Sequence, residues 1–279
     1  MPAKIPSVRL PGNVQIPALG LGTWLLNGEK CASAVKASLE LGYTHIDTAE
    51  MYNNQVEIGN AIEGFDRKRL FLVSKAWSNH MHFNDLINAC EKTLGELGTD
   101  YLDLYLIHWP NPKVPIAETL KAMQQLKNEG KIRAFGLSNF TIPEIEQALQ
   151  TSKEIATNQV EMHPLFRQGK LLEYCNSKNI PITAYSPIAR GKVFQNKTIL
   201  KIAERHGKSP AQISLKWLLQ KGTIVIPKAS SKEHLEQNLG IFSWKLTAEE
   251  IQEIDSIREE VRLVNPGKYV RRIAGFFLT

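Results

Sequence analysis

Asp47, Tyr52, Lys75 and His108 are residue types that, brought together, can deliver a proton and stabilise negative charge developing on an oxygen. An unperturbed phenol has a pKa of roughly 10 and is a poor acid at neutral pH. A cation beside it favours the phenolate and lowers that pKa. Lys75 can supply the cation, and Asp47 can pair with Lys75 and hold it in place. His108 can donate a hydrogen bond to a carbonyl oxygen as charge builds there. Such a set suits the reduction of a carbonyl, with Tyr52 giving the proton and a cofactor, not a side chain, giving the hydride. Each member has an ordinary reading when taken alone. An Asp–Lys pair is usually structural, a tyrosine after a strand usually packs, and His108 beside Trp109 and Pro110 could be a core histidine. What favours chemistry is their shared address, because all four stand at or just beyond the ends of short apolar runs.

Those runs alternate with segments of helical period. Candidate strands span Leu19–Thr23, Thr44–Thr48, Phe71–Lys75, Leu102–His108, Ile132–Ser138, Thr157–Glu161, Ile182–Tyr185 and Thr223–Pro227. Most are apolar on both faces, as strands covered on one side and packed inside on the other should be. Candidate helices span Cys31–Leu41, Gln55–Glu63, Phe83–Leu97, Ile116–Asn128, Ile142–Gln150, Gly169–Asn179, Pro210–Gln220, Ser231–Gly240 and Ala248–Ile257. Gly42, Gly98, Gly130 and Gly222 stand where left-handed helix caps are wanted, and Thr141 with Glu144 reads as a capping box. Eight strands alternating with helices predict a parallel sheet, closed or open. Val8–Ile16, split by Pro11-Gly12-Asn13, reads as a hairpin able to plug a barrel end. No linker interrupts the chain, so residues 1–279 are read as one domain with an irregular basic tail over 261–279.

Composition narrows the classes. The chain has 279 residues, 43% hydrophobic and 22% charged, which is ordinary globular usage. Cys31, Cys90 and Cys175 are odd in number and widely spaced, which suggests neither zinc nor disulfides and fits a reducing cytoplasm. His80-x-His82 is the one ligand-like histidine pairing and falls in a polar loop, so no metal is expected. The N-terminal stretch lacks an apolar signal core and no run is long enough to span a bilayer. The net charge of +6 favours an anionic partner, yet the basic residues are scattered without a nucleic-acid motif. The expectation is a cytoplasmic monomer acting on a small carbonyl compound, with neither nucleic acid nor membrane as partner. Trp24, Trp77 and Trp109 fall just beyond strand ends and would form, with Tyr52 and His108, the wall of the substrate pocket. Arg190, in a loop, could attract a carboxylate.

At these residues the chain resembles the aldo-keto reductase superfamily over about Val8 to Pro266. The resemblance is carried by Gly20-Leu-Gly-Thr-Trp24, Gly42-Tyr-Thr-His-Ile-Asp-Thr-Ala49 with Tyr52, Val73-Ser-Lys-Ala-Trp77 and Leu106-Ile-His-Trp-Pro110. Gly136-Leu-Ser-Asn-Phe140, Asn158-Gln-Val-Glu161, Ala184-Tyr-Ser-Pro187 and Ile226-Pro-Lys228 continue it. Within the superfamily, Asn139–Pro143, Ile155–Gln159 and Arg262–Pro266 look most like bacterial 2,5-diketo-D-gluconate reductases, which often reduce methylglyoxal. The resemblance implies a (β/α)8 TIM barrel with an N-terminal hairpin and extra C-terminal helices. It assigns Asp47, Tyr52, Lys75 and His108 as the catalytic four. It implies that Ser138, Asn139 and Gln159 hold a nicotinamide carboxamide, that Tyr185 stacks on the ring, and that Ser186 and Ile188 lie along the pyrophosphate. Gly22, Thr23, Trp24 and Asp47 would also face the cofactor, while Lys228, Ala229, Ser230, His234, Gln237 and Asn238 would line its adenosine 2′-phosphate end.

The cofactor so implied is NADPH. Three departures leave NADH use open, since the family usually carries serine at Ala229, arginine at His234 and glutamate at Gln237. Arginine brackets a phosphate bidentately and is always charged, whereas histidine near neutral pH is mostly uncharged. Gln55 replaces a usual glutamate, which is expected to be a minor structural change. Gly20-x-Gly22 is not a Rossmann fingerprint, because Leu25 stands where the third glycine belongs. Two competing readings are a nicotinamide-sensing regulatory protein and a Schiff-base lyase using Lys75; the first leaves an intact catalytic set unused, and the second leaves Tyr52, Asp47 and the Lys228 segment unexplained.

Overall fold

Short strands that are apolar on both faces can bury both only if helices cover one face and a packed interior fills the other. The computed structural model, which describes residues 5–264, takes that form. Strands β1 (Ser7–Arg9) and β2 (Gln15–Pro17) make an antiparallel hairpin around Pro11–Asn13. Its Leu10 and Ile16 pack with Phe71, Val73, Leu104, Leu106 and Ala134, so the hairpin plugs one end of the interior. The main sheet is parallel throughout: β3 (Leu21–Gly22), β4 (His45–Asp47), β5 (Phe71–Ala76), β6 (Leu104–Ile107), β7 (Phe135–Ser138), β8 (Ile155–Glu161), β9 (Ile182–Tyr185) and β10 (Ile224–Val225). Leu19 bridges Val225, and the amides of Gly20 and Gly22 donate to the carbonyls of Val225 and Pro227 at 2.9 and 3.1 Å. The sheet therefore closes into a (β/α)8 barrel. A Cβ on Gly22 would stand 2.6 Å from the carbonyl oxygen of Ile226, so this seam, and no phosphate turn, is what the Gly20-x-Gly22 pair serves.

The helices are α1 (Gly28–Glu40), α2 (Gln55–Ile62), α3 (Phe83–Leu97), α4 (Ile116–Asn128), α5 (Ile142–Thr151), α6 (Gly169–Ser177), α7 (Lys197–His206), α8 (Pro210–Gln220), α9 (Lys232–Leu239) and α10 (Ala248–Asp255). In α3 the buried residues Leu86, Ala89, Cys90, Thr93, Leu94 and Leu97 recur every three or four positions and face the sheet. Gly98 then ends the helix at φ 61, a left-handed cap that Gly42, Gly130 and Gly222 repeat elsewhere. At α5 the Glu144 carboxylate accepts from both the amide and the hydroxyl of Thr141, each at 2.7 Å. Among the described residues, α7 is the one α-helix without a counterpart among the candidates. Its buried face is only Ile199, Ile202 and Ala203, set among charged residues, although Asn196 caps its start and Gly207 its end. The strands β3 and β10 are also shorter than expected, because at the closing seam the chain leaves sheet geometry after two residues. The basic tail beyond Val264, with Phe276-Phe277-Leu278, lies outside the described residues.

Period-two alternation decides which side chains enter the barrel. In β5, Phe71 and Val73 point inward, so Lys75 does too, one layer higher. Leu104 and Leu106 of β6 likewise place His108 above them. At β7–β8 the count slips: Phe135 pairs with Ile155 but Leu137 pairs with Asn158. This bulge is why Ala156 and Gln159, of opposite parity, both face inward.

His45, also on β4, is fully buried, with Nδ1 3.1 Å from the Pro17 carbonyl and Nε2 without a partner among the described residues. Burial pushes its pKa down to about 4. The folded-state value lies below the unfolded one, so this contribution to stability is full above about pH 6.5 and is lost as pH falls through 4. His45→Asn keeps a donor for Pro17 but cannot titrate. Unfolding free energies from urea titrations between pH 7.5 and 5 should therefore fall less in the variant, by up to about 2 kcal/mol over that range. Parallel curves would rule the assignment out.

Candidate active site

Asp47 and Lys75 form a fully buried pair at the open end of the barrel, with Nζ 2.5 Å from Oδ1. Nζ also donates to the Thr48 carbonyl at 2.7 Å, so the ammonium is fixed by two oxygens. Burial lowers the Lys75 pKa, and the Asp47 carboxylate opposes that shift and favours the charged form. The other Asp47 oxygen accepts from Gln159 Nε2 at 2.7 Å across the barrel. Nζ lies 5.1 Å from the centroid of the Tyr52 ring. His108 packs edge-on to Tyr52, with centroids 5.8 Å apart, and burial together with Lys75 holds its pKa well below the usual histidine value. His108 is therefore a neutral imidazole at physiological pH, able to donate a hydrogen bond but not to act as a strong acid.

The loops above the strands are tied to one another. Asn54 donates to the carbonyls of Thr23 and Leu26 at 3.0 and 2.8 Å and accepts from Thr48 Oγ1 at 2.7 Å, which fixes the far side of the Tyr52 loop. Asn111 reaches the Ser78 carbonyl at 2.8 Å. Asn139, held at φ 65, donates to the His108 carbonyl at 3.0 Å and accepts from the Tyr185 hydroxyl at 2.8 Å. Asparagine tolerates this left-handed conformation better than most residues, which is a physical reason for it to follow Ser138 at the strand end.

A cavity of about 470 Å³ opens over these groups. It is lined by the expected Gly22, Thr23, Trp24, Asp47, Tyr52, His108, Trp109, Ser138, Asn139, Gln159, Tyr185, Ser186, Ile188, Lys228, Ala229, Ser230 and His234.

The chain matches the model of the aldo/keto reductase family over residues 18–259. The chain belongs to the aldo/keto reductase family. A 9,11-endoperoxide prostaglandin H2 reductase of Trypanosoma cruzi is 39% identical, over 92% of this chain and 93% of the relative. A methylglyoxal reductase of Escherichia coli is 40% identical, over 90% and 96%. The crystal structure of a putative 2,5-diketo-D-gluconic acid reductase B superimposes with a TM-score of 0.90 at 37% identity, over 95% of both chains. Carbonyl reduction by an oxidoreductase is thus the class of reaction, and the family uses nicotinamide cofactors.

Three expected contacts of this aldo/keto reductase fall outside the cavity wall. Trp77 packs edge-on against His108, with centroids 5.2 Å apart, and supports that ring from outside the cavity lining. Gln237 donates to Glu233 on the surface of α9, and Asn238 is buried beside the Tyr43 hydroxyl. Conversely, Leu25, Met51, Pro187, Ile226 and Val264 line the cavity without having been singled out from the sequence. Val264 arrives from the far end of the chain, because the buried Glu161 carboxylate accepts from the amides of Leu263 and Val264 at 2.6 and 2.7 Å. No local signal marks that pairing across a hundred residues. Arg190, whose guanidinium carbon lies 4.5 Å from the Trp24 ring centroid, also lines the cavity. The Gln55 substitution has a structural use: Oε1 accepts from Ser74, while Nε2 donates to Glu96 at 2.7 Å. A glutamate there would confront Glu96.

Proposed function

We propose that this reductase converts small aldehydes and ketones, methylglyoxal and 2,5-diketo-D-gluconate among them, to alcohols with NADPH, and that Tyr52 gives the proton. The observation that carries the reading is the buried Asp47–Lys75 pair beside the Tyr52 ring, with a neutral His108 packed against it. The two substrates are supported by the methylglyoxal reductase and 2,5-diketo-D-gluconic acid reductase likenesses. Sequestered at zero exposure with its lone pair engaged by a proton and two oxygen partners, Lys75 is unsuited to attack a carbonyl as a lyase amine would.

The residues present fit a nicotinamide cofactor. Gly22 lets the cavity floor lie against Ile226 with no side chain intervening, and Ser138, Asn139 and Gln159 bring amide and hydroxyl groups suited to a carboxamide. Tyr185 offers a ring face anchored through its hydroxyl to Asn139. Toward the other end, exposed Lys228 and His234 stand by the start of α9, where the helix dipole favours anions. Bound there, the cofactor would supply the hydride. The protein's own part is acid chemistry: Lys75 favours the phenolate that Tyr52 becomes, so the phenol gives up its proton to the carbonyl oxygen more readily. His108 donates a hydrogen bond to that oxygen and so orients the carbonyl. Trp24, Met51 and Trp109 keep the reacting centre in an apolar setting, which strengthens both interactions.

Following the loss of nicotinamide absorbance with methylglyoxal, 2,5-diketogluconate and an aromatic aldehyde tests the reading. Cofactor binding without turnover of any of the three would overturn it. The phosphate end is tested in the same assay. His234→Arg should raise the NADPH-to-NADH preference about tenfold, as a charge-assisted hydrogen bond to phosphate would. An unchanged ratio would remove His234 from the phosphate site.

A further inference from the structure

Tyr52 sits in a single 3-10 turn, Glu50–Tyr52, between β4 and α2. Beyond it, the buried Asn54 fastens the chain to the loop after β3. On the near side the corresponding fastening is Glu50. Its carboxylate stands 2.9 Å from His80 Nδ1, in the segment that follows Lys75 on β5, and the nearby backbone amide of Trp77 favours its charged form. Trp77 in turn supports the His108 ring. One half-buried carboxylate thus joins the turn that carries Tyr52 to the segment that backs His108 and continues from Lys75. Glu50 does not line the cavity.

We propose that Glu50 is a positioning residue for this reduction: by pairing with His80 in the segment after β5, it sets Tyr52 in register with Lys75 and His108. The inference rests on Tyr52 being the proton donor. A donor displaced by a fraction of an ångström loses much of its effect, because proton transfer demands hydrogen-bond distance to the carbonyl oxygen. Burial raises the Glu50 pKa, while His80, the Trp77 amide and Lys92 of α3 oppose that shift. Burial pushes the pKa of Tyr105, on β6, well above the usual phenol value, and the Glu50 carboxylate adds to that shift. As pH falls, Glu50 therefore takes up a proton earlier than a surface carboxylate would. The link to His80 then weakens, and kcat should fall with it.

Glu50→Ala should lower kcat about tenfold with cofactor affinity, read by fluorescence quenching, within about twofold of wild type. Glu50→Gln keeps an oxygen that can accept from His80 but cannot titrate, so it should retain kcat at neutral pH while losing the acid decline that the carboxylate causes. If Glu50→Ala does not fold, the pH profile of Glu50→Gln decides alone. A wild-type kcat in Glu50→Ala, or an unchanged acid limb in Glu50→Gln, would overturn the inference. Tyr52→Phe measured alongside separates the two failures. An inactive Tyr52→Phe beside a fully active Glu50→Ala removes only Glu50, whereas an active Tyr52→Phe removes the reading on which it depends.

Discussion

Tyr52→Phe should lower kcat about a thousandfold while the cofactor binds with nearly its original affinity. The expectation follows from how the groups beside the Tyr52 ring are held. Lys75 is buried and paired with Asp47, and His108 is kept neutral by burial with Lys75 nearby. A neutral imidazole gives up a ring proton far less readily than a phenol whose anion is stabilised by an ammonium group. Phenylalanine preserves the ring and its edge-on packing with His108, so the shape of the cavity should persist. Single-turnover rates alongside cofactor titration would check this. A kcat within about tenfold of wild type would mean that another group, or water, delivers the proton.

Lys75→Met is the second large effect, and it acts on stability as well as rate. Methionine matches the length of the lysine stem but leaves the Asp47 carboxylate buried without its ammonium partner, Gln159 still donating to it. Removing one member of a buried pair costs about 3–5 kcal/mol, because the remaining charge is no longer compensated. Urea denaturation should show that loss, and kcat should drop by about a hundredfold or more as the phenolate loses the ammonium that favours it. Adding Asp47→Asn to Lys75→Met removes the stranded charge. The double variant should recover much of the stability and none of the rate. Recovery of both would show that the pair serves folding alone.

Much of the site was legible in the sequence because its members lie at strand ends, and strand ends are set by local patterns. Asp47, Lys75 and His108 each close a short apolar run, and period two from Phe71 to Lys75 already implies that the lysine enters the barrel. The helices Phe83–Leu97, Ile116–Asn128 and Pro210–Gln220 match their candidates residue for residue, since apolar spacing and end signals agree in each. Helix α7 was hidden by its charge: three buried residues among ten give too narrow a stripe to stand out from a polar loop.

What the sequence by itself determined is that Asp47, Tyr52, Lys75 and His108 stand at or just beyond strand ends, and the alternation that aims them at one end of a parallel sheet. Tertiary structure alone decided how that set is held. The slip between β7 and β8 turns Gln159 toward Asp47. Trp77 backs His108 from outside the cavity lining, Glu161 draws Val264 into the wall from a hundred residues away, and Glu50 ties the Tyr52 turn to its neighbour. The physical reason is range. Periodicity and capping are set by neighbours within a turn or two, whereas each of these contacts joins segments that meet only after the barrel has closed.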